Sequence, residues 1–243
     1  MNIPLGLDFP TGWGRSRGAQ LTRRLLQDVA IVPLTKYLSS LSVDGLENIS
    51  RTNTMIFAAN HVSHLDTPLV LSALPPDVRR RTVVAAAMDT FFLSAPKAAT
   101  TVLSFNAIPI ERHKVNRRSA ALAQQVLDEH WHLLIYPEGG RTTTGNLQEF
   151  KGGAAYLAER TDAVVIPTFV DGAGELLGPK YAKAEVYTSA PSHTRHQVRV
   201  TFGAPLTMQE GENIRRFNTR IEDAVAELGR RVTKNPSYGT RDI

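Results

Sequence analysis

Short apolar runs alternate with amphipathic stretches along most of the chain. The apolar runs predict strands at 54–59, 82–87, 106–110, 132–136, 164–170, 184–188 and 197–202. The stretches between them carry apolar residues every three to four positions, which predicts helices at 67–74, 89–103 (broken at Pro96), 115–130, 152–160 and 212–234. This alternation is typical of an α/β fold with a mixed, largely parallel central sheet flanked by helices. Because only a short link separates the last two predicted strands, we expect those two to pair antiparallel.

The first 42 residues follow a different pattern. Residues 1–18 are rich in glycine and proline and are expected to form an extended arm, whereas the pattern over 19–41 is helical, with a kink or split at Pro33. The apolar positions of that stretch recur every three to four residues: Leu21, Leu25, Val29 and Val32. We therefore predict an N-terminal arm and amphipathic helical segment over residues 1–42, followed by a main domain over 43–243.

Basic residues precede and flank these apolar positions: Arg15, Arg17, Arg23 and Arg24. The chain has a net charge of +5, which favours anionic partners such as nucleic acid, phosphorylated metabolites or an acidic membrane surface. An amphipathic helix with a basic start suits contact with an anionic membrane, and it also suits packing against its own domain. No uncharged apolar run of about 18 residues is present, so no transmembrane helix is predicted. The N-terminus also lacks the features of a signal peptide.

Composition removes several kinds of chemistry. Hydrophobic residues make up 42% of the 243 residues and charged residues 21%, which is typical of a globular protein. The chain contains no cysteine. Disulfides, thiolate zinc sites and cysteine nucleophiles are therefore excluded, and a reducing compartment is compatible with the sequence.

A histidine and a carboxylate follow the first predicted strand of the main domain. His61 lies just after the apolar run 55–59, and Asp66 lies in the turn before the next predicted helix, which can fold the carboxylate back towards the imidazole. Histidine can remove a proton from an alcohol near neutral pH, and a carboxylate can fix its tautomer and stabilise the imidazolium. The pair is a candidate general base with its orienting acid. A strand-end histidine bonded to backbone would show the same pattern.

The same stretch permits a metal-site interpretation. His61, His64 and Asp66 spell H-x-x-H-x-D, which suggests a metal-dependent hydrolase as an alternative. Metallo-hydrolases of the β-lactamase fold use a similar cluster, but with one residue between the histidines and a histidine after the aspartate, where this chain has Thr67. We therefore predict no metal site.

A second polar cluster follows the predicted strand 132–136. Its members are Glu138, Gly139, Gly140 and Arg141. Glycines let backbone N–H groups approach a phosphate closely, and arginine binds phosphate in a forked geometry. The cluster therefore indicates an anion site in which the carboxylate bonds sugar or glycerol hydroxyls or holds an arginine. Two glycines after a strand also occur in ordinary tight turns.

Four short blocks together resemble the glycerolipid acyltransferase family, typified by 1-acylglycerol-3-phosphate acyltransferases. The blocks are Asn60-His61 with Asp66, Arg112 after the strand 106–110, Tyr136 to Arg141, and Ile166-Pro167. The first matches the family's N-H-x-x-x-x-D pattern in full. The third has Gly140 where the family's F-P-E-G-T-R usually has a threonine, and the second has Phe105 and Asn106 where the family has a glycine. The resemblance covers roughly residues 43–205, so 43–243 is expected to be an acyltransferase domain.

The resemblance implies an enzyme of phospholipid biosynthesis, an O-acyltransferase. It would move a fatty acyl group from acyl-CoA or acyl carrier protein to a hydroxyl of a glycerophospholipid, above all 1-acylglycerol-3-phosphate, to give phosphatidic acid. The catalytic residues would be His61 and Asp66. The acceptor would be bound by Asn60, Arg112, Glu138, Gly139, Gly140 and Arg141. The acyl thioester is a co-substrate, and no other cofactor is expected.

Other functions stay open at this point: acyl transfer to another lysophospholipid or a glycolipid, metal-dependent hydrolysis, and a noncatalytic lipid-binding module. A noncatalytic module would be expected to have lost His61 or Asp66, and both are present. Nucleic-acid binding would rest on charge alone, so no nucleic-acid partner is expected. Because the substrates would be lipids, we expect a cytoplasmic protein bound peripherally to the inner face of the cell membrane, with an anionic membrane surface as partner.

Overall fold

A seven-stranded sheet forms the centre of the structure, a computed structural model that describes residues 4–113, 116–142, 144–177, 195–234 and 238–239. Its strands are β1 (Ser39–Asp44), β2 (Met55–Ala59), β3 (Thr82–Ala87), β4 (Ala107–Ile110), β5 (His132–Ile135), β6 (Val164–Asp171) and β7 (His196–Phe202). They lie in the order β1-β7-β6-β2-β5-β3-β4. Neighbours are parallel except β6 and β7, which are antiparallel. The predicted α/β class with a mixed, largely parallel sheet is confirmed, whereas the strand predicted at 184–188 and its pairing lie outside the described residues.

The α-helices of the described residues are α1 (Arg17–Leu26), α2 (Val32–Leu38), α3 (Asp66–Ala73), α4 (Pro76–Arg80), α5 (Met88–Phe91), α6 (Ala95–Phe105), α7 (Arg117–Asp128), α8 (Gly153–Arg160), α9 (Ala173–Leu177) and α10 (Ile214–Thr233). The predicted helices 67–74, 115–130, 152–160 and 212–234 correspond to α3, α7, α8 and α10. The one predicted at 89–103 is divided into α5 and α6. The short helices α4 and α9 have no counterpart among the predictions.

Helices cover both faces of the sheet, because successive residues of a buried strand point to opposite faces. On one face, Ile56 of β2 packs with apolar residues of α7, α8 and α10, such as Ile221. On the other, Phe57 of β2 packs with apolar residues of α3, such as Leu69. Strands β2 to β6 run in the same direction, so the loops that follow them meet at one edge of the sheet. In sheets of this kind, that edge is where ligands bind.

Strand β1 differs from the sequence prediction. The helical pattern extends to residue 41, but the chain leaves α2 after Leu38, and the next six residues pair in parallel with β7. The predicted boundary between residues 42 and 43 therefore falls inside a strand. The stretch is short and mostly polar, and its partner lies far along the chain, so strand formation depends on tertiary pairing rather than on local pattern.

The N-terminal stretch is folded rather than extended. It contains two 3-10 turns, Gly6–Asp8 and Gly12–Arg15. Between them, Phe9 is buried and packs on Phe92, with 5.8 Å between ring centroids. The expected extended arm is thus replaced by a covering segment over the α5–α6 region.

The split expected at Pro33 occurs as a π-helical turn, Gln27–Ile31, between α1 and α2. Proline has no N–H, and its ring clashes with the carbonyl four residues earlier in a regular α-helix. The wider π turn just before Pro33 relieves that clash while the helical direction is kept.

The N-terminal helical segment buries some of its polar side chains. Arg23 is only 3% exposed, and its guanidinium donates to the carbonyl oxygens of Gly14 at 2.8 Å and Val102 at 3.3 Å. Gln27 is also buried and donates to the carbonyl of Ser104 at 2.9 Å. Buried polar groups of this kind are stable only when they are hydrogen-bonded, as these are.

The apolar side of the same segment faces outwards. Its exposed side chains, which we call the outer stripe, are Leu21, Leu25, Val29, Leu34 and Tyr37. Of the four arginines noted in the sequence, Arg17 and Arg24 are exposed, Arg15 is half-buried beside Glu129, and Arg23 is buried, so Arg23 cannot face a membrane. Among the described residues, no helix combines the length and hydropathy needed to cross a bilayer.

Candidate active site

The loop after β2 brings His61 and Asp66 together. Asp66 begins α3, is completely buried, and its Oδ2 lies 2.7 Å from His61 Nδ1. The same oxygen accepts the backbone N–H groups of Val62 and Ser63, both at 2.8 Å. An oxygen that already accepts two N–H groups suits an ionised carboxylate, so we assign the imidazole proton to Nδ1. That tautomer leaves Nε2 as the nitrogen able to accept a proton.

Tyr136 fixes the plane of the imidazole. Its ring stacks on His61 with 4.1 Å between centroids and an interplanar angle of 20°. Its hydroxyl is 2.9 Å from Thr67 Oγ1, and burial raises the pKa of the phenol well above its ordinary value. The stacking was not predicted. The available signal was an aromatic residue at the end of β5, directly before Pro-Glu-Gly-Gly-Arg.

Glu138 lies beneath the loop that carries His61. It is only 4% exposed, and its Oε1 accepts the backbone N–H of His61 at 2.6 Å while its Oε2 accepts that of Gln148 at 2.9 Å. Burial raises the pKa of Glu138 to about 8, although these two hydrogen bonds act in the opposite direction. Both oxygens therefore hold loop backbone, and the contact of this carboxylate with an acceptor stays a prediction.

Asn60 is also buried, and its side chain bonds to backbone instead of facing solvent. It is 1% exposed, its Nδ2 donates to the carbonyl of Val170 at 3.0 Å, and its Oδ1 accepts the Val170 N–H at 2.7 Å. The amide thus joins the end of β2 to β6. These hydrogen bonds fix the residue directly before His61, and acceptor binding by Asn60 stays a prediction.

Arg112 follows β4 and is paired with a carboxylate. Its Nε and Nη2 each lie 3.0 Å from Asp89 Oδ2, and His113 Nε2 is also 3.0 Å from that oxygen. Burial alone would raise the pKa of Asp89, but hydrogen bonds from His113 and Arg112 hold it below its ordinary value. Arg112 is still about one-third exposed. Asp89 gave no signal in the sequence, because acidic residues are common in the first turn of a helix.

The loop after β5 lies against a lysine that the sequence interpretation did not assign. Lys151 Nζ donates to the backbone carbonyl of Arg112, so it connects the loops after β4 and β5. Gly139 has φ +73°, a conformation that favours glycine, and it lies against the flexible end of the Lys151 side chain. At Gly140 φ is not positive and a Cβ would meet open space, so only Gly139 is required by the backbone.

Arg141 is partly exposed and close to His64. Burial lowers the pKa of His64, and the positive charge of Arg141 lowers it further. Within the part of the chain that the structure describes, no carboxylate forms an ion pair with Arg141. Among these residues the charge of Arg141 is therefore not neutralised by a carboxylate, unlike that of Arg112.

The metal-site interpretation gains no support from the geometry. Over residues 4–113, 116–142, 144–177, 195–234 and 238–239, no group of three or more His, Cys, Asp or Glu side chains is arranged to hold a metal ion. Asp66 Oδ2 is instead occupied by the imidazole and two backbone N–H groups.

The second block departs from its family pattern at Asn106. This residue ends α6 in the left-handed region, with φ 53°. Glycine adopts that conformation most readily, and asparagine is among the few other residues that tolerate it. Asn106 can therefore adopt the left-handed backbone conformation for which a glycine would be favoured at this position.

The sequence profile of the Acyltransferase family matches residues 40–171, more than half of the chain. The chain belongs to the acyltransferase family. The matched region contains β1 to β6 and the site residues described above, from Asn60 to Lys151.

Three relatives illustrate the distance within the family. Over 157 residues, the chain is 24% identical to the chloroplast 1-acyl-sn-glycerol-3-phosphate acyltransferase of Arabidopsis thaliana, covering 63% of this chain and 41% of that protein. It is 28% identical over 170 residues to the alpha enzyme of that name from Mus musculus, covering 68% and 55%. It is 25% identical over 185 residues to a probable enzyme of that name from Mycoplasma pneumoniae, covering 72% and 66%. The chain therefore spans less than two thirds of the length of each.

A crystal structure supports the fold. The 1-acyl-sn-glycerophosphate acyltransferase of Thermotoga maritima superposes with a TM-score of 0.65 at 20% identity, covering 91% of this chain and 85% of that one. The likeness thus extends beyond the profile match and includes most of the described elements.

Proposed function

We propose that this acyltransferase moves a fatty acyl group from an acyl-CoA or acyl carrier protein thioester to the free hydroxyl of 1-acylglycerol-3-phosphate, giving phosphatidic acid. The observation that carries the proposal is the 2.7 Å contact between His61 Nδ1 and Asp66 Oδ2 in a loop at the ligand-binding edge of the sheet. Family membership and the names of the relatives support the reaction class and the acceptor.

His61 acts as the general base in this mechanism. The acceptor hydroxyl oxygen attacks the thioester carbonyl carbon while His61 Nε2 takes the hydroxyl proton. Asp66 stabilises the resulting imidazolium, and Tyr136 holds its plane. When the tetrahedral intermediate collapses, the carbon–sulfur bond breaks and the leaving thiolate takes the proton back from the imidazolium. The chain contains no cysteine, and the direct transfer needs no covalent acyl-enzyme.

Cationic side chains near this base are proposed to bind the acceptor phosphate. Arg141 has an unpaired charge among the described residues, and Lys151 uses only one of its three donors in the contact that the structure gives it. Arg112 contributes an exposed but partly neutralised guanidinium. Gly139 and Gly140 leave the approach to these groups open. In this assignment Glu138 and Asn60 position the loop instead of touching the acceptor.

The pairing of Arg112 with Asp89 favours a second class of acceptor. A site that binds a phosphomonoester, with almost two negative charges, gains from every unpaired cation. Asp89 already neutralises part of the charge of Arg112, so the site favours an acceptor with less negative charge. The alternative acceptor is therefore a lysophospholipid with a single phosphate charge, or a glycolipid.

We also propose that the outer stripe binds a membrane surface peripherally. Apolar side chains are seldom exposed in a continuous row on a soluble surface, and such rows mark interaction sites. Exposed basic residues flank the row, including Arg17 and Arg24, and the substrates are lipids. An anionic leaflet, such as the inner face of a cell membrane, matches both the apolar row and the charge.

Product analysis with purified protein tests the acceptor. One acyl-CoA and one acyl carrier protein thioester are each offered with 1-acylglycerol-3-phosphate, glycerol 3-phosphate, a lysophosphatidylcholine and a glycolipid. We expect the highest kcat/KM with 1-acylglycerol-3-phosphate and phosphatidic acid as product. Acyl transfer only to acceptors without a phosphomonoester would overturn this acceptor in favour of the alternative class.

A further inference from the structure

Tyr238 packs against β6 near the candidate active site, although it follows α10, the last helix of the described residues. It is 5% exposed, and its ring packs edge-on against Phe169 of β6, with 5.2 Å between centroids and an interplanar angle of 83°. Arg230 Nη1 donates to its backbone carbonyl at 3.2 Å, which ties the residue to α10. The family profile ends at residue 171, so this tyrosine is outside the matched region.

Gly229 of α10 provides the space for this ring. A Cβ at that position would collide with the ring carbons of Tyr238 and would lie 3.0 Å from Phe169. A helix-interior glycine usually weakens a helix by up to about 1 kcal/mol relative to alanine. Its presence here is explained by the close approach of the tyrosine ring.

The ring of Tyr238 packs on Phe169, and the next residue of β6, Val170, is bonded through both its backbone N–H and its carbonyl to the side chain of Asn60. The phenol also forms a hydrogen bond with Asn60, and burial raises the pKa of Tyr238 above the ordinary value, so the hydroxyl is protonated at neutral pH. Asn60 directly precedes His61 in the chain.

We infer that Tyr238 is a positioning residue for His61, which it holds through Asn60. The inference rests on the proposed function for its kinetic consequence, but its structural consequence does not depend on which acceptor is used. Tyr238 touches no reacting atom. Its effect must therefore appear in turnover and in the environment of the imidazole rather than in substrate binding.

Tyr238→Phe in the full chain tests this inference, because it removes only the hydroxyl. Tyr156→Phe is the matched control, since Tyr156 packs at the edge of the same hydrophobic core and its ring contacts Arg160 on α8. We expect Tyr238→Phe to lower kcat roughly 5-fold or more, the scale of one lost hydrogen bond, with the KM values of acceptor and donor unchanged. Equal kcat values for the two variants would overturn the inference.

The NMR signals of the His61 ring separate this inference from the proposed reaction. In Tyr238→Phe the imidazole ¹H and ¹⁵N shifts should move, whereas in Tyr156→Phe they should match the wild type. Unmoved shifts in Tyr238→Phe would overturn the positioning role even if kcat fell. If the wild type transferred acyl groups to no acceptor, the proposed function would fail, and moved shifts would still support the positioning role.

Gly229→Ala provides a second route that alters no atom of Tyr238. The added methyl group should displace the ring and lower kcat in the same direction, with unchanged KM values. Thermal unfolding, measured for all variants, confirms that each is folded at the assay temperature. A folded Gly229→Ala protein with wild-type turnover would contradict the inference that the position of the Tyr238 ring affects His61.

Discussion

Glu138 shows, at the scale of a single residue, how the same chemistry can serve a different purpose from the one that its motif suggests. A carboxylate between a strand and two glycines suggests an acceptor ligand, yet its two oxygens accept backbone N–H groups on both sides of the loop. The identity of the residue is visible in the sequence. The contacts of its side chain depend on which loop lies next to it. That loop is the one after β2, because β2 and β5 are neighbours in the sheet.

Burial of Glu138 predicts a dependence of stability on pH. The carboxyl has an ordinary pKa of 4.5 and a pKa of about 8 in the folded protein. Its contribution to the free energy of unfolding is therefore fully present below about pH 4.5 and is lost as the pH rises through about 8. Glu138→Gln stays neutral at every pH, so its stability relative to the wild type should increase between about pH 5 and about pH 8.5.

Denaturant unfolding at several pH values measures this difference. Glu149→Gln is the control, because Glu149 is exposed in the same loop. A difference between Glu138→Gln and the wild type that stays constant across the range would mean that the two backbone N–H groups, rather than burial, decide the ionisation of Glu138.

Arg141 predicts a selective effect on acceptor binding. Arg141→Ala removes a charge that is not paired among the described residues, so the acceptor KM should rise about 10-fold or more while the donor KM stays nearly constant. Arg160→Ala is the control, since Arg160 is exposed on α8 and pairs with Glu159. Equal increases in both KM values would argue against a phosphate contact.

At the scale of elements, the N-terminal segment shows which parts of a pattern can be interpreted from sequence. The three- to four-residue spacing correctly indicates helix, and next to Pro33 a π-helical turn stands in place of the expected kink or split. The direction of the apolar face cannot be obtained this way, because spacing defines a face and not its partner. Arg23 and Gln27 face inwards because α6 ends there and offers backbone carbonyls, a contact between distant parts of the chain. Strand β1 was missed for a related reason.

The outer stripe predicts membrane binding that can be removed without unfolding the protein. Replacing Leu21, Leu25 and Val29 together by glutamine should weaken binding to anionic vesicles by about 10-fold or more, since each exposed side chain contributes roughly 1 kcal/mol of apolar transfer. The melting temperature should stay close to that of the wild type, because these side chains are exposed. Leu46→Gln, at an exposed leucine outside the stripe, is the control.

Vesicle co-sedimentation at low and high salt provides the measurement. Salt should weaken the binding of the wild type, because part of the attraction comes from basic residues. If the triple variant binds as well as Leu46→Gln does, another surface is the anchor.

At the scale of the whole molecule, the candidate site is assembled from loops that the parallel strands bring to one edge. The family resemblance assigned His61, Arg112 and Glu138 to one site, and the alternating pattern of the sequence was sufficient to predict strands β2 to β7 of this sheet. It could not give the strand order, so it did not separate the residues that open towards a ligand from those that support the loop. Nor could it indicate Tyr238, because a single tyrosine after a long helix has no local pattern that links it to a histidine far earlier in the chain.

The role of His61 as general base is tested most directly by the turnover of His61→Ala with 1-acylglycerol-3-phosphate and an acyl thioester. We expect kcat to fall about 10²-fold or more, the scale for the loss of a positioned general base. Asp66→Asn should follow in the same direction, because the imidazolium then lacks its negative partner. Thermal unfolding and vesicle binding of His61→Ala should match those of the wild type. A folded His61→Ala protein that transfers acyl groups at nearly the wild-type rate would contradict the role of His61 as general base.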